Sequence, residues 1–245
     1  MLTDLRWLAL EAKYLDRAQS FYESFLDLDV RRESEGEVAL AAGDTDLLLR
    51  RPTAVPRGGV HTHYAFSTPP SAYDGWWDRL SESFDLVEHQ FGDAKSLYFY
   101  DVEGNCVEIG QRETPKASRN GGGEAADREM DDVPADGITG IFEVVFEVAD
   151  LERAESFYRD LGLDLMGRGD DRKRVRLTAG PFDFELWEPQ LGLADGRGGV
   201  HVDVGLGAEN PAAAVDAVAD RARSITELDD GVRIEDPDGH QLTLR

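Results

Sequence analysis

The sequence predicts an α+β fold in which four strand–helix–three-strand units form two tandem domains. The first observation is an internal duplication, because three segments return in the same order and at nearly constant spacing. Residues 58–61 return at 198–201, residues 15–22 at 151–158, and residues 101–105 at 236–240. The second observation is that a helical stripe of apolar residues is followed, in each unit, by short strands with turn residues between them. Elements in this order are typical of an α+β fold with helices on one face of the sheet.

The first half begins with a predicted apolar strand over 7–12. A helix over 16–26 follows, because Ala18, Phe21 and Phe25 recur three to four positions apart. Three short strands complete this unit, over 30–34, 37–42 and 46–50. The next unit has predicted strands over 61–67, 86–91, 96–100 and 106–110, with a helix over 71–84 after its first strand.

The second half repeats this order. Its predicted elements are a strand over 138–148, a helix over 151–161, strands over 164–168, 172–178 and 182–187, a strand over 200–206, a helix over 211–223 and closing strands to residue 245. Between the halves, residues 113–137 are small, polar and rich in glycine, which predicts a flexible linker. The sequence therefore predicts domains at 1–112 and 138–245.

The charge of the chain limits its partners. Its net charge is -24 and its sequence pI is about 4.4. A surface this acidic repels nucleic acid and anionic membranes, so we expect neither as a partner. The acid excess also predicts a proteome adapted to high salt, where screening reduces the self-repulsion of the protein.

Cys106 is the only cysteine, which excludes an internal disulfide and a metal cluster held by several thiolates. The N-terminal residues lack a basic region followed by a long apolar run, so we expect no signal peptide. No apolar stretch approaches the roughly 20 residues needed to span a bilayer. These features predict a cytoplasmic protein, either a monomer with an internal pseudo-dimer or a homodimer.

The repeated motifs are a Leu-Asp/Glu-Arg-Ala-x-x-Phe-Tyr helix, a Gly-Gly-Val-His strand and an Asp-x-x-Gly turn. In the first copy the strand continues to His-x-x-Phe. This set resembles the vicinal oxygen chelate superfamily, which includes glyoxalase I, extradiol dioxygenases and bleomycin-resistance proteins. The resemblance covers nearly the whole chain apart from the linker. It implies four βαβββ modules whose mixed sheets curl into cups, with metal ligands on the first and last strands of the modules.

The resemblance also implies which residues hold a metal. The family's ligand positions fall, in the first half, on Trp7, Leu48, His63 and Glu108, and the repeat carries them in the second half to Glu143, Glu185, Asp203 and Thr243. Glyoxalase-like members often build their site across two domains, which divides these eight residues into two sets. One set lacks a histidine and makes a poor metal site: Trp7, Leu48, Asp203 and Thr243. The other set fits a divalent ion such as Zn, Ni, Mn or Fe: His63, Glu108, Glu143 and Glu185.

Less specific readings of these residues remain open. Acids are 50 of the 245 residues, so two acids at two chosen positions arise by chance in roughly 4% of cases. His63 also fits a cavity residue without metal or a core histidine whose hydrogen bonds are satisfied. Tyr98 and Tyr100 share a strand face, where they either line the pocket or pack in the core.

Strand alternation makes His61 a rival ligand, because it places His61 on the same face as His63. We prefer His63 because its His-x-x-Phe context fits the family motif better. Alternation also places Phe142 with the apolar residues on the strand face opposite Glu143. An acidic strand face that lines the cup is costly to bury unless a cation compensates it.

Two classes of function follow. The first is a metal-dependent enzyme of lyase or isomerase type, which acts on a small substrate with vicinal oxygens and uses Glu108 or Glu185 as the catalytic proton carrier. An extradiol dioxygenase is a weaker version, because its iron needs two histidines and one carboxylate. The second class is a metal-free binding protein of the drug-sequestering type.

Overall fold

The structure is a computed structural model that describes residues 1–52, 58–112, 137–169, 173–189 and 199–245. The first half contains β1 (Leu2–Glu11), α1 (Leu15–Leu26), β2 (Val30–Glu33), β3 (Glu37–Ala42), β4 (Thr45–Arg50), β5 (His61–Thr68), a 3-10 turn (Pro70–Ala72), α2 (Tyr73–Ser81), β6 (Val87–Phe91), β7 (Ala94–Tyr100) and β8 (Cys106–Gln111). The second half contains β9 (Gly140–Glu147), α3 (Leu151–Leu161), β10 (Asp164–Arg168), β11 (Arg174–Thr178), β12 (Asp183–Trp187), β13 (His201–Ala208), α4 (Pro211–Asp216), β14 (Ser224–Leu228), β15 (Gly231–Glu235) and β16 (Gln241–Leu244). The predicted linker, apart from Gly137, lies outside the described residues.

Most element boundaries agree with the sequence prediction, but β1 begins at Leu2, five residues before the strand predicted over 7–12, and two helices also differ. The helix predicted over 71–84 is a 3-10 turn followed by the shorter α2. The helix predicted over 211–223 ends at Asp216, because the backbone beyond it changes to shorter turns, such as the bond from Val218 N to Val215 O at 3.1 Å. The described part of the chain contains no helix that is both long and apolar enough to cross a membrane.

The strands form two eight-stranded mixed sheets, and each sheet takes one unit from each half of the chain. The strand orders are β14-β15-β16-β13-β1-β4-β3-β2 and β10-β11-β12-β9-β5-β8-β7-β6. The halves meet in each sheet through an antiparallel pair, β1 with β13 and β5 with β9. This architecture confirms the predicted α+β fold of four βαβββ units, and it pairs the first unit with the fourth and the second with the third.

The helices cover one face of each sheet and contribute to a continuous apolar core. The repeated Phe-Tyr pair of the duplicated helix lies there, as Phe21 and Tyr22 in α1 and as Phe157 and Tyr158 in α3. The α3 helix begins at a side-chain cap, because Asp150 accepts a hydrogen bond from a backbone N–H of the first turn. Burial of these helices leaves the opposite, concave faces of the sheets for polar groups.

The repeated tyrosine and the repeated aspartate bond to each other in both halves. Tyr22 donates to Asp101 at 2.6 Å and Tyr158 donates to Asp236 at 2.9 Å. The other oxygen of each aspartate accepts backbone N–H groups of its own turn. Burial, reinforced by the aspartate charge, raises the pKa of both tyrosines, so each remains a donor. Two of the three duplicated motifs therefore fix the helix to the last turn of its half.

The third duplicated motif joins the two sheets. His61 N donates to Gly199 O at 3.1 Å and His201 N donates to Gly59 O at 3.2 Å, so the two Gly-Gly-Val-His segments pair with each other. The imidazoles continue this contact, with Nδ1 atoms of His61 and His201 3.4 Å apart. The ring of His201 also lies 3.1 Å from His240, between Nε2 and Nδ1. The three rings form a buried histidine cluster between the halves.

The histidine cluster should make the protein sensitive to acid. Burial, with the neighbouring histidines, lowers the pKa of His61 to about 3 and lowers that of His201 well below its usual range. The unfolded chain, with histidine pKa values of about 6.5, therefore binds more protons than the folded chain below that pH. The contribution of these groups to stability is complete above about pH 6.5 and is lost as the pH falls towards the folded pKa.

His201→Phe keeps an aromatic ring against Phe146 and removes one titrating group. Between about pH 6.5 and 4.5, the slope of the unfolding free energy against pH should become shallower by up to about 1.4 kcal/mol per pH unit. Chemical denaturation of both proteins across this range measures the slope, and the difference at pH 8 reports the cost of the changed packing and of the lost contacts with His61 and His240. Equal slopes in the two proteins would show that His201 is not held neutral.

Candidate metal centre

The candidate site lies on the concave face of the sheet that contains β5. In the strand register Ala65 pairs with Glu108 of β8 on one side and with Glu143 of β9 on the other. His63 stands two residues before Ala65 on the same strand. Because the alanine side chain is short, the two carboxylates that flank it can approach the imidazole.

His63, Glu108 and Glu143 converge closely. His63 Nε2 lies 3.1 Å from Glu108 Oε2 and 3.7 Å from Glu143 Oε1. One ligand atom from each of the three side chains lies within 4.8 Å of the others. All three residues are buried, with 1%, 3% and 5% of their surface exposed. Glu143 comes from the second half of the chain, so the cluster exists only where the halves meet.

Neighbouring side chains fix two members of the cluster. The hydroxyls of Ser96 and Tyr98 hydrogen-bond to Glu108. The ring of His63 packs edge-on against the rings of Tyr98 and Trp187, at centroid distances of 5.5 and 6.1 Å. Tyr98 therefore lines the site and is also buried. Both alternatives for this residue, lining the pocket and packing in the core, hold in part.

The charges of the cluster act on one another. Burial disfavours a charge on His63. The hydrogen bonds from His63 to Glu108 and Glu143, together with the negative charges of these carboxylates, outweigh the effect of burial and raise the pKa of the imidazole to about 9. Burial also disfavours the charge on Glu108, and His63 more than compensates, so the pKa of that carboxyl is lowered. The pKa of Glu143 is raised by burial and by the charges of Glu185 and Glu108. The two carboxylates therefore favour the charged imidazole in the chain alone, and a cation that binds Nε2 of His63 would take the place of its proton.

Two arginines of β11 reach into the same cup. Arg176 Nη2 lies 2.8 Å from Glu143 Oε2 and 2.7 Å from Asp183 Oδ2. Arg174 Nη1 lies 3.3 Å from both oxygens of Glu185. The sequence analysis missed both arginines, although their alternation in Arg-Val-Arg already placed them on one strand face. Their contacts with the acids depend on the pairing of β11 with β12 and, for Glu143, on the pairing of β12 with β9, which the sequence does not specify.

Glu185, the predicted fourth ligand and candidate proton carrier, lies on the same concave face beside Glu143. Besides Arg174, it accepts a hydrogen bond from Trp187 Nε1 at 2.8 Å. It is not among the three side chains whose ligand atoms lie within 4.8 Å of one another. Its role as a ligand therefore stays a prediction.

His61 does not share the face of His63, so the prediction that it is a rival ligand is wrong. The register between β5 and β9 shifts between His61 and His63. This β-bulge reverses the alternation, and His61 joins the histidine cluster between the sheets. A second shift beside Ala65 has the same effect on β9, because Ile141 rather than Phe142 joins the apolar core. The Phe142 ring instead stacks with Arg112 at 4.2 Å.

The second cup has a different interior at the equivalent positions. Asp203, which corresponds to His63, accepts hydrogen bonds from Trp7 Nε1 at 3.0 Å and from Thr243 Oγ1 at 2.8 Å. Arg50 and Arg233 lie 3.6 and 3.5 Å from the same carboxylate. Leu48 packs with Trp7 in a small apolar cluster. Within the described residues this cup has no group of three metal-ligating side chains.

The fold thus consists of paired βαβββ units, and one of its two cups holds a buried histidine–glutamate cluster. No protein-family model matches the chain. The metallothiol transferase FosB of Staphylococcus haemolyticus is 25% identical over 116 residues, which cover 44% of this chain and 84% of the relative. Glyoxalase I from Zea mays superposes with a TM-score of 0.67 and 17% identity, over 98% of this chain and 91% of that chain.

A further solved structure, a candidate dioxygenase from Bacillus subtilis, superposes with a TM-score of 0.75 and 16% identity. The alignment covers 99% of this chain and 84% of that chain. The chain shares its fold with the two solved structures, and 44% of it is similar in sequence to the metallothiol transferase; both findings agree with a resemblance to the vicinal oxygen chelate superfamily. The resemblance inferred from the repeated motifs is thereby confirmed.

Proposed function

We propose that the protein is a divalent-metal-dependent enzyme of lyase or isomerase type, acting on a small molecule with two neighbouring oxygen atoms. The observation that carries this proposal is the convergence of His63, Glu108 and Glu143 from three adjacent strands of one cup. Three buried groups of this kind are costly without a cation, and they occupy positions where the superfamily carries its metal ligands.

The chemistry of the donor set fits a divalent ion. One imidazole nitrogen and two carboxylates suit Zn, Ni, Mn or Fe, and the carboxylates balance the charge of the ion. Glu108 Oε2 is buried and faces His63 Nε2 at 3.1 Å, so both atoms are turned towards the space that an ion would occupy. His63 presents Nε2 to the same space, so all three donors point to one place.

The bound ion would supply Lewis acidity to the two substrate oxygens. The protein supplies position and proton transfer. Ser96 and Tyr98 orient Glu108 as a ligand. Glu185 lies outside the three-residue cluster, next to Glu143, so of the two predicted proton carriers we assign this role to Glu185. Arg174 and Trp187 hold its carboxylate in place.

One observation favours a second candidate, a metal-free binding protein. Arg176 already gives Glu143 a positive partner at 2.8 Å, so the cup has an internal counter-charge without an ion. A ring-cleaving dioxygenase has less support, because the cluster contains one histidine where that iron site needs two.

Metal analysis tests the proposal. After incubation with Mn, Fe(II), Ni or Zn and removal of excess ion, wild type should retain about one ion per chain. His63→Ala, Glu108→Gln and Glu143→Gln should each weaken binding at least about 100-fold, because each removes a direct ligand. Glu185→Gln should retain the ion. Isothermal titration and elemental analysis measure affinity and stoichiometry.

Asp203→Asn is the matched control, because it changes the equivalent position in the other cup and should leave metal binding unchanged. Thermal melts of every variant separate loss of the ion from loss of the fold. Binding that survives Glu143→Gln would exclude a site shared between the halves. Wild type that binds none of the four ions would exclude the enzyme and favour the metal-free binding protein.

A further inference from the structure

We propose that the substrate of this site is an anion, and that Arg176 binds this anion once Glu143 has become a ligand of the metal ion. The inference rests on the proposed metal site and adds the chemical class of the substrate. In the chain alone, Arg176 acts as the positive partner of Glu143. In the metal-bound protein, it becomes available to an oxyanion such as a carboxylate or a phosphate group.

Glu143 connects the arginine to the metal cluster. Its Oε1 faces His63 at 3.7 Å, and its Oε2 contacts Arg176 at 2.8 Å. One carboxylate thus bridges the imidazole and the guanidinium. An ion bound beside His63 attracts this carboxylate and repels the guanidinium, because charges act on each other more strongly in a partly buried site than in water.

The arginines and acids on this side of the cup balance in the chain alone. Arg112, Arg174 and Arg176 contact three acids, which are Glu143, Asp183 and Glu185. When Glu143 binds the ion, only two carboxylates remain to balance the three guanidinium groups. A guanidinium does not lose its proton in a protein, so the surplus charge needs another anion.

The arginine side of the site is its more exposed side. The side chains of Arg174 and Arg176 are 30% and 32% exposed. The ligand residues behind them are almost completely buried, as are Tyr98 and Trp187 on the other walls. A substrate that approaches the ion therefore passes these arginines first. Their planar donors match the two oxygens of a carboxylate or phosphate group.

The test uses three vicinal diols that differ in one group. Glycerol 3-phosphate carries a phosphate, 3,4-dihydroxybutanoate carries a carboxylate and glycerol carries neither. Isothermal titration into the Mn²⁺-loaded protein should show that one or both anions bind at least about tenfold more tightly than glycerol. The comparison between the two anions identifies the oxyanion that the site prefers.

Arg176→Gln separates recognition from a structural role. The variant should bind Mn²⁺ about tenfold more tightly, because the competing positive charge is gone, and should lose the preference for the anions. Arg176→Lys keeps the charge and should keep part of the preference. Arg168→Gln, which removes an exposed arginine bound to Glu155, should change neither affinity.

The two affinities of Arg176→Gln must change in opposite directions. If the substitution weakens both Mn²⁺ and anion binding, or changes neither, Arg176 is a structural ion-pair residue and the inference is wrong. The inference also fails if loaded wild type binds the anions no more tightly than glycerol. Wild type that binds no metal ion contradicts the proposed metal site itself, a failure that the titration with Mn²⁺ alone reveals before any diol is added.

Discussion

Replacing Gly59 with alanine should lower the unfolding free energy by about 3 kcal/mol. A Cβ at Gly59 would lie 2.0 Å from Nδ1 of His240. The imidazole cannot turn away cheaply, because it stacks on Phe146 and on His201 at centroid distances of 4.6 and 5.0 Å. Moving it would also break its buried contacts with His201 and with the backbone oxygen of Glu147.

Thermal denaturation measures this effect. The unfolding temperature should fall by about 10 °C, since 1 kcal/mol corresponds to roughly 2–4 °C in a chain of this size. Gly199→Ala makes the duplicated change, with a Cβ 1.7 Å from Asn105 Oδ1, and should destabilise similarly. Gly75→Ala is the control, because a Cβ there meets no atom within 4 Å. That change, inside α2, should stabilise by about 0.5 kcal/mol. Equal unfolding temperatures for wild type and Gly59→Ala would show that the two Gly-Gly-Val-His segments do not pack as described.

The duplicated motifs could be found in the sequence because each is short and continuous. Their structural role could not, because it lies in contacts between motifs. The tyrosine of each repeat bonds to the aspartate of its own half, and each Gly-Gly segment packs against the turn residue of the opposite half. The three motifs therefore recur together because they form one assembly around the junction of the sheets.

The convergence of His63, Glu108 and Glu143 follows the ligand positions that the family resemblance implies, whereas Glu185, the fourth predicted member, lies outside the cluster. Alternation, by contrast, failed for His61 and Phe142. Both lie next to shifts in the register of β5 and β9, where the strands of the two halves meet. A β-bulge adds one residue without a strong sequence signal, so counting positions beyond it places side chains on the wrong face.

The contacts of the two arginines in the cup could not be predicted from the sequence either. Arg174 and Arg176 were visible as charged residues on a predicted strand, but an acidic protein has exposed carboxylates throughout its sequence. The pairings of β11 with β12 and of β12 with β9 select their partners, since Asp183, which Arg176 contacts, stands opposite Glu143 in the register. The charge balance of the site is therefore a property of the sheet and could not be obtained from the residue pattern of one strand.

Separating the halves should abolish the metal site, and mixing them should restore it. Fragment 1–112 contributes His63 and Glu108, whereas fragment 138–245 contributes Glu143. Neither fragment alone holds the set, so we expect each to bind Mn²⁺ or Zn²⁺ at least about 100-fold more weakly than the full chain. An equimolar mixture should recover one ion per pair, because each of the two sheets requires one unit from each fragment. Size-exclusion chromatography and metal analysis of the complex measure the recovery.

A dimer of fragment 1–112 can be compared with the mixture of the two fragments. A dimer of 1–112 that copied the native sheet pairing would place β5 of one copy beside β1 of the other. The partners of His63 and Glu108 would then be the equivalents of Glu143 and Glu185, which are Trp7 and Leu48. Such a dimer offers no additional carboxylate at these positions, so it should fold without gaining the ion. A mixture that contains the 138–245 fragment with Glu143→Gln should form the same complex as the unmodified fragments and remain without metal. If fragment 1–112 alone binds the ion with the affinity of the full chain, the second half contributes no ligand, and the site must lie within the first half.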